Sequence, residues 1–344
     1  MEFFAGANTV DGFVSLFDEC FRGIKTLYIL KGSSGCGKST LMRRIAGRAE
    51  REGMEYDIIR CSGDVESLDG VILRGLGVAV ADGTSPHSMD AKYPCVRERI
   101  INLGEFWDEE KIMPHRERII ELTDKKAERY GAAYKSLAAY REARNALESV
   151  VLSAIDREKA DAFALSLAER LGEGKGELKR VLFSAFTANG IKTVSRFSGV
   201  KSIYRAKGAS AEYIAQRLYM AVRELGIESV VALCPTDVKR AESIYFTQSG
   251  ALFTLLDDVD CPTEAEEINI NGSRFTKGVL LSQSRNKIKL LNRLSEELSA
   301  QAQGELAEAR ELHRELESLY IPAMRFDLLD KYTLRLIDSI FANK

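Results

Sequence analysis

A chain of 344 residues with 45% hydrophobic and 29% charged positions, only 6 Pro and 26 Gly, has the composition of a folded protein, not a disordered or fibrous one, and its length predicts about two domains. Forty-nine Lys and Arg against 51 Asp and Glu leave a net charge of -2, which excludes a global basic field for nucleic acid or anionic lipid. No apolar run approaches a bilayer span and Met1 to Ala5 lacks the features of a signal peptide, so a cytoplasmic location with no membrane partner is expected.

In chain order, β-branched runs predict strands at Thr26 to Leu30, Tyr56 to Arg60 and Gly77 to Asp82, with a helix over Lys38 to Arg51 between the first two. The same order recurs as strands at Ser202 to Ala206, Ser229 to Leu233 and Ala251 to Leu255, with a helix over Glu212 to Leu225. The recurrence is also literal. RGIKTLYILKG (22–32) matches SGVKSIYRAKG (198–208) at an offset of 176, and after a three-residue deletion Gly53, Cys61, Asp64 and Gly77 pair with Gly226, Cys234, Asp237 and Gly250. Strand, helix, strand order predicts an α/β fold with a parallel sheet, internally duplicated into halves of roughly 1–180 and 181–344.

Each half ends in long helices, an arm over about 110–180 and another over about 280–344. Ala133, Leu137, Tyr140, Leu147, Val151 and Ala154, and then Leu291, Leu294, Leu298, Ala302, Ala309, Leu312, Leu316 and Leu319, recur mostly at three and four. This spacing predicts coiled arms or helices lying on a sheet. Residues 111–144 carry nine Lys or Arg and five Asp or Glu, whereas 296–317 carry two Arg and seven Glu. Opposite signs predict that the arms pair, within one chain or across a homodimer. A protein partner for the arms is a further expectation, and nucleic acid is not. Cys20, Cys36, Cys61, Cys95, Cys234 and Cys261 form no C-x-x-C pair, and with three histidines neither structural zinc nor a disulfide framework is expected.

Gly32-Ser33-Ser34-Gly35-Cys36-Gly37-Lys38-Ser39 fits G-x-x-x-x-G-K-[ST] between a strand and a helix, the setting of a phosphate-binding loop. Backbone N–H groups from Gly32 to Thr40 would cradle ATP phosphates, Lys38 would reach the β- and γ-phosphates, and Ser39 with Asp82 would ligate Mg²⁺. Asp82 ends an apolar strand but precedes Gly83, not a glutamate, so the attacking water needs another partner; Asp64 and His87 are the candidates. Expected catalytic residues are therefore Lys38, Asp82, Asp64 and His87. In the second half Gly208-Ala209-Ser210-Ala211-Glu212 is shorter and lacks the lysine, which predicts one nucleotide per chain.

The loop GSSGCGKST is of the type found in ABC-transporter ATPases, but no LSGGQ-like segment or Asp-Glu pair follows. The chain more closely resembles an uncharacterised bacterial family of tandem P-loop ATP-binding proteins. The resemblance rests on KGSSGCGKSTLMRRIA, CSGDVESLDGV, GVAVADGTSPH and INLGEFWDE, together with the duplication. It implies ATP binding and hydrolysis and no established substrate. Three readings stay open: an ATPase with one active site; a small-molecule or nucleotide kinase, with Asp64 as base and Lys92, Arg97 or Arg99 as clamps; and a non-hydrolysing, nucleotide-gated scaffold.

Overall fold

A computed structural model describes residues 1–86 and 88–342. In chain order the first half forms β1 (Glu2–Phe4), β2 (Gly6–Thr9), β3 (Gly12–Ser15), α1 (Phe17–Cys20), β4 (Thr26–Lys31), α2 (Lys38–Arg51), β5 (Tyr56–Arg60), β6 (Leu68–Leu73), β7 (Val78–Asp82), β8 (Glu98–Asn102), α3 (Glu109–Ile112), α4 (Arg116–Ala154) and α5 (Arg157–Leu171). The second forms β9 (Leu178–Val181), β10 (Ser184–Thr187), β11 (Gly190–Thr193), β12 (Ser202–Lys207), α6 (Ala211–Leu225), β13 (Ser229–Cys234), β14 (Asp237–Phe246), β15 (Ala251–Thr254), β16 (Glu266–Asn271), α7 (Gly278–Gln283), α8 (Arg285–Tyr320) and α9 (Phe326–Phe341).

Among the described residues there are two six-stranded sheets, ordered β1-β5-β6-β7-β4-β8 and β9-β13-β14-β15-β12-β16, so one order serves both. The sheets are mixed, which corrects the purely parallel expectation. β6 runs antiparallel to β5 and β7, and β14 runs antiparallel to β13 and β15. The links 61–67 and 74–77 are too short for the crossover that a parallel neighbour requires. β4 is parallel to both β7 and β8, and its residues Leu27 to Leu30 are all buried, as a strand covered on both faces must be.

The halves are joined through backbone hydrogen bonds, a shared core and their arms. Phe4 and Leu182 exchange backbone hydrogen bonds of 2.8 and 3.1 Å, and behind them one apolar core takes Ile29, Ile59 and Ile72 from the first sheet together with Val231, Ile244 and Phe253 from the second. The arms α4 and α8 run antiparallel along one another. Ala133, Leu137 and Tyr140 meet Leu298, Ala302 and Leu306, and the β2-β3 and β10-β11 hairpins add Val10 and Phe186 to this seam. Arg118 pairs with Glu315 at 2.6 Å, and Arg129 with Glu305 at 3.0 Å and Glu308 at 3.3 Å. The opposite charges thus meet within one chain. Such exposed pairs contribute little, and the apolar seam supplies most of the attraction.

The arms carry their last helices across to the opposite sheet. α9 covers the first sheet beside α2, burying Leu329, Leu336, Ile337, Ile340 and Phe341 among Leu41, Met42 and Ile45. α5 lies beside α6 on the second sheet, where Tyr213 donates to Asp161 at 2.8 Å. The docking points correspond: Asp108 N–H donates to Ala323 O and Arg325 N–H to Phe106 O at 2.8 and 2.9 Å, while Lys277 N–H donates to Ala154 O and Asp156 N–H to Phe275 O at 2.7 and 2.8 Å. At roughly 1.5–3 kcal/mol for each fully buried large apolar side chain, α9 is a main stabiliser of the first sheet. No described helix is long and apolar enough to cross a membrane.

Candidate functional site

β4 delivers the chain to the glycine loop, and α2 starts at Lys38, directly after it. Two glycines are required by conformation and by space. Gly35 has φ +74° and Gly37 φ +85°, in the left-handed region, and a β-carbon on them would lie 2.7 Å from Ile321 Cγ1 and 2.9 Å from Leu329 Cδ2. The loop is therefore capped by the end of α8 and the start of α9, nearly three hundred positions further along the chain. Cys36 points inward at 1% exposure, and burial pushes its thiol up, out of the reactive range.

Lys38 curls back over the loop. Its Nζ donates to Gly32 O at 2.6 Å and Ser33 O at 3.0 Å and lies 3.5 Å from Asp82 Oδ2. Asp82 ends β7, the parallel neighbour of β4, and its Oδ1 accepts the Thr84 N–H at 2.9 Å and the Thr84 hydroxyl at 2.6 Å. Ser39 Oγ accepts the Leu68 N–H at 3.0 Å, and Thr40 is exposed on α2. Asp64 is exposed in the 61–67 link. His87 lies outside the described residues. The basic residues suggested as kinase clamps are otherwise engaged. Arg97 donates to Phe21 O and Ile24 O at the far end of β4, Arg99 lies over the Tyr28 ring, and Lys92 lies over Tyr93.

Both arms add residues that nothing local in the sequence marks. On α8, His313 Nδ1 is 3.3 Å from Ser34 Oγ, and its Nε2 is 3.7 Å from Glu317 Oε1. Burial, then the Lys126 and Lys38 charges, lower the His313 ring to about 4. Burial and then the Asp64 charge raise the Glu317 carboxyl, while Lys38 and the Gly35 N–H favour its charged form. On α4, Tyr130 Oη lies 3.6 Å from where a Gly63 β-carbon would stand, and burial, then Cys61 and Asp69, push its hydroxyl up to about 12. The i, i+4 spacing of His313 and Glu317 defines a helix face but not what that face covers.

The corresponding place in the second half is filled by its own side chains. Ser210 Oγ donates to Gly272 O at 2.6 Å, and Gly272 is so close that a β-carbon on it would lie 2.7 Å from Lys207 O. Counting back from the matching docking residues Ala154 and Ala323, Arg144 corresponds to His313 and Glu148 to Glu317. Arg144 pairs with Glu212 at 2.6 Å and Glu148 with Arg240, so these charges are neutralised internally.

Comparison with protein-family models, curated proteins and solved structures finds no match. What the first-half site can do follows from its chemistry: backbone N–H groups at the start of a fourteen-residue helix and a lysine in the loop make a cradle for an anion, bordered by a buried carboxylate. Among the described residues no group of three or more His, Cys, Asp or Glu is arranged to hold a metal ion.

Proposed function

We propose that the chain is a Mg²⁺-dependent NTPase that binds and hydrolyses ATP at the glycine loop of its first half. The observation that carries this reading is the Lys38 ammonium, folded into the loop against Gly32 and Ser33 carbonyls and 3.5 Å from the Asp82 carboxylate on the adjacent parallel strand. On binding, Lys38 would exchange those carbonyls for phosphate oxygens, and the loop N–H groups with the α2 dipole would hold the remaining charge. Mg²⁺, when bound, would neutralise charge between phosphates, and the Ser39 hydroxyl and Asp82 carboxylate are hard oxygen donors of the kind it takes. Asp64 would orient the attacking water, since Gly83 after Asp82 has no side chain to do so. No guanine-reading N-K-x-D motif is present, and ATP is the nucleotide proposed.

We read the halves as products of a duplication, in keeping with the sequence offsets and the shared strand order, with the second site closed by its own ion pairs. This agrees with the tandem P-loop resemblance. The seating of α8 and α9 on Gly35 and Gly37 favours a second reading, in which bound nucleotide sets the position of the arms and turnover is absent. Phosphate release from Mg-ATP, measured for the chain and for Lys38→Ala, tests the proposal. Release that disappears in the variant is expected. Tight binding with no release selects the gated scaffold, and release unchanged by the substitution removes the loop from the function.

A further inference from the structure

The end of α8 is pressed against the glycine loop, where a β-carbon on Gly35 would lie 2.7 Å from Ile321 Cγ1 and 3.6 Å from Glu317 O. About two turns earlier on the same helix, the half-buried His313 ring sets its Nδ1 3.3 Å from Ser34 Oγ. Among the described residues this ring is the only hydrogen-bond partner of the Ser34 hydroxyl. Its other nitrogen, Nε2, faces the Glu317 carboxylate at 3.7 Å, which favours the tautomer with the proton on Nε2. Nδ1 is then an acceptor, and the Ser34 hydroxyl donates to it. The hydroxyl proton is thus committed to the arm, whereas a phosphate oxygen in the loop needs a donor.

We propose that His313 is a positioning residue for phosphate recognition: when phosphate enters the loop the ring takes one proton from solvent, its Nδ1–H donates to Ser34 Oγ, and the Ser34 hydroxyl turns to donate to a phosphate oxygen. This rests on the reading of the loop as an ATP site and names how that site is regulated. The charges around the ring are Lys38 from the loop, Lys126 from α4, Asp64 from the 61–67 link and Glu317 on α8 itself. In the empty loop, burial and the two lysines keep the ring neutral. A phosphate beside Lys38 offsets the lysine charge and favours the imidazolium. The second half supports this assignment by analogy. Arg144 stands there at the position of His313, and it pairs at 2.6 Å with Glu212 in the first turn of α6. The same arm position therefore presents a permanent cation where the anion is built in, and an ionisable ring where the anion arrives from solution.

The test is calorimetric titration of a non-hydrolysable ATP analogue into the full chain, Lys38→Ala, His313→Gln, His313→Arg and Ser34→Ala. Each is titrated near pH 6 and near pH 8 in buffers of low and high ionisation enthalpy, which reads proton uptake directly. Protonation of the analogue itself is common to all the proteins and cancels in the comparison. One linked proton changes affinity by at most about tenfold per pH unit. From near pH 6 to near pH 8 the full chain should therefore weaken by about 3- to 30-fold more than His313→Gln, and it should take up a fraction of a proton that this variant does not. His313→Arg, a fixed cation like Arg144, should bind near pH 8 about as tightly as the full chain does near pH 6, without the uptake, a rescue that a packing role would not produce. Ser34→Ala should lose most of the coupling, and coupling undiminished in that variant would overturn the relay. If the full chain binds the analogue in a Lys38-dependent way with the same pH dependence and proton uptake as His313→Gln, this proposal alone is overturned. If the full chain binds no nucleotide, or Lys38→Ala binds as well as the full chain, the ATP reading and this proposal fall together.

Discussion

Glu242 on β14 predicts an unusual dependence of stability on pH. It is 5% exposed, burial pushes its carboxyl up from 4.5 to about 8, and hydrogen bonds from the Ser184 hydroxyl and N–H only partly favour the charged form. Its Oε1 meets no hydrogen-bond partner among the described residues, and Cys234, pushed up to about 12 chiefly by its own burial, is the titratable neighbour. At neutral pH the folded chain therefore holds a proton that the unfolded chain has released. The stability this contributes is fully present below about pH 4.5, declines as the pH rises, and is lost by about pH 8. The change from 4.5 to about 8 sets a ceiling of roughly 5 kcal/mol. Glu242→Gln, neutral and of the same shape, removes the slope. Urea unfolding at a series of pH values should find the variant within roughly 1 kcal/mol of the parent near pH 5 and more stable by several kcal/mol near pH 8.5. Parallel stability curves for the two proteins from pH 5 to 9 would refute the assignment.

Gly35→Ala should cost about 1–3 kcal/mol and lower nucleotide affinity, because φ is +74° and the new methyl meets Ile321; thermal unfolding and titration check both effects, and an unperturbed variant counts against the capped loop. Ile340→Ala, on a helix that belongs by sequence to the second half, should destabilise the first sheet by about 2–5 kcal/mol, seen as faster hydrogen exchange in β4 and β7; exchange confined to the second sheet would contradict the crossing of the arms. The His313 ring should stay neutral until the pH approaches 4, so stability falls as the pH drops from about 6.5 through that window; an imidazole titration with a midpoint near 6.5 would place the ring in open solvent.

The strand, glycine loop and helix from Thr26 to Arg51 are legible in the sequence because every requirement is local: an apolar run, glycines where the chain turns, and an amphipathic helix. β6 is not, because Asp69 and Gly70 interrupt its apolar pattern, although both residues are buried. The short strands β1 to β3 and β9 to β11 fall below the length at which alternation can be read. The arms announce themselves through their apolar spacing, and their opposite charges indicate that they pair. Which sheet α5 or α9 covers cannot be read, since an amphipathic face specifies that it is buried and not against what. For the same reason His313 and Glu317 look like ordinary polar positions on a long helix until the antiparallel crossing brings them to a loop encoded far earlier in the chain.

We propose one ATP site, at the first glycine loop, with the second half closed by Ser210, Arg144 and Glu212. Calorimetric titration of the full chain with Mg²⁺ and a non-hydrolysable ATP analogue measures it most directly. Saturation at one nucleotide per chain is expected, with no binding in Lys38→Ala. Two nucleotides per chain, or one that survives the loss of Lys38, would contradict it.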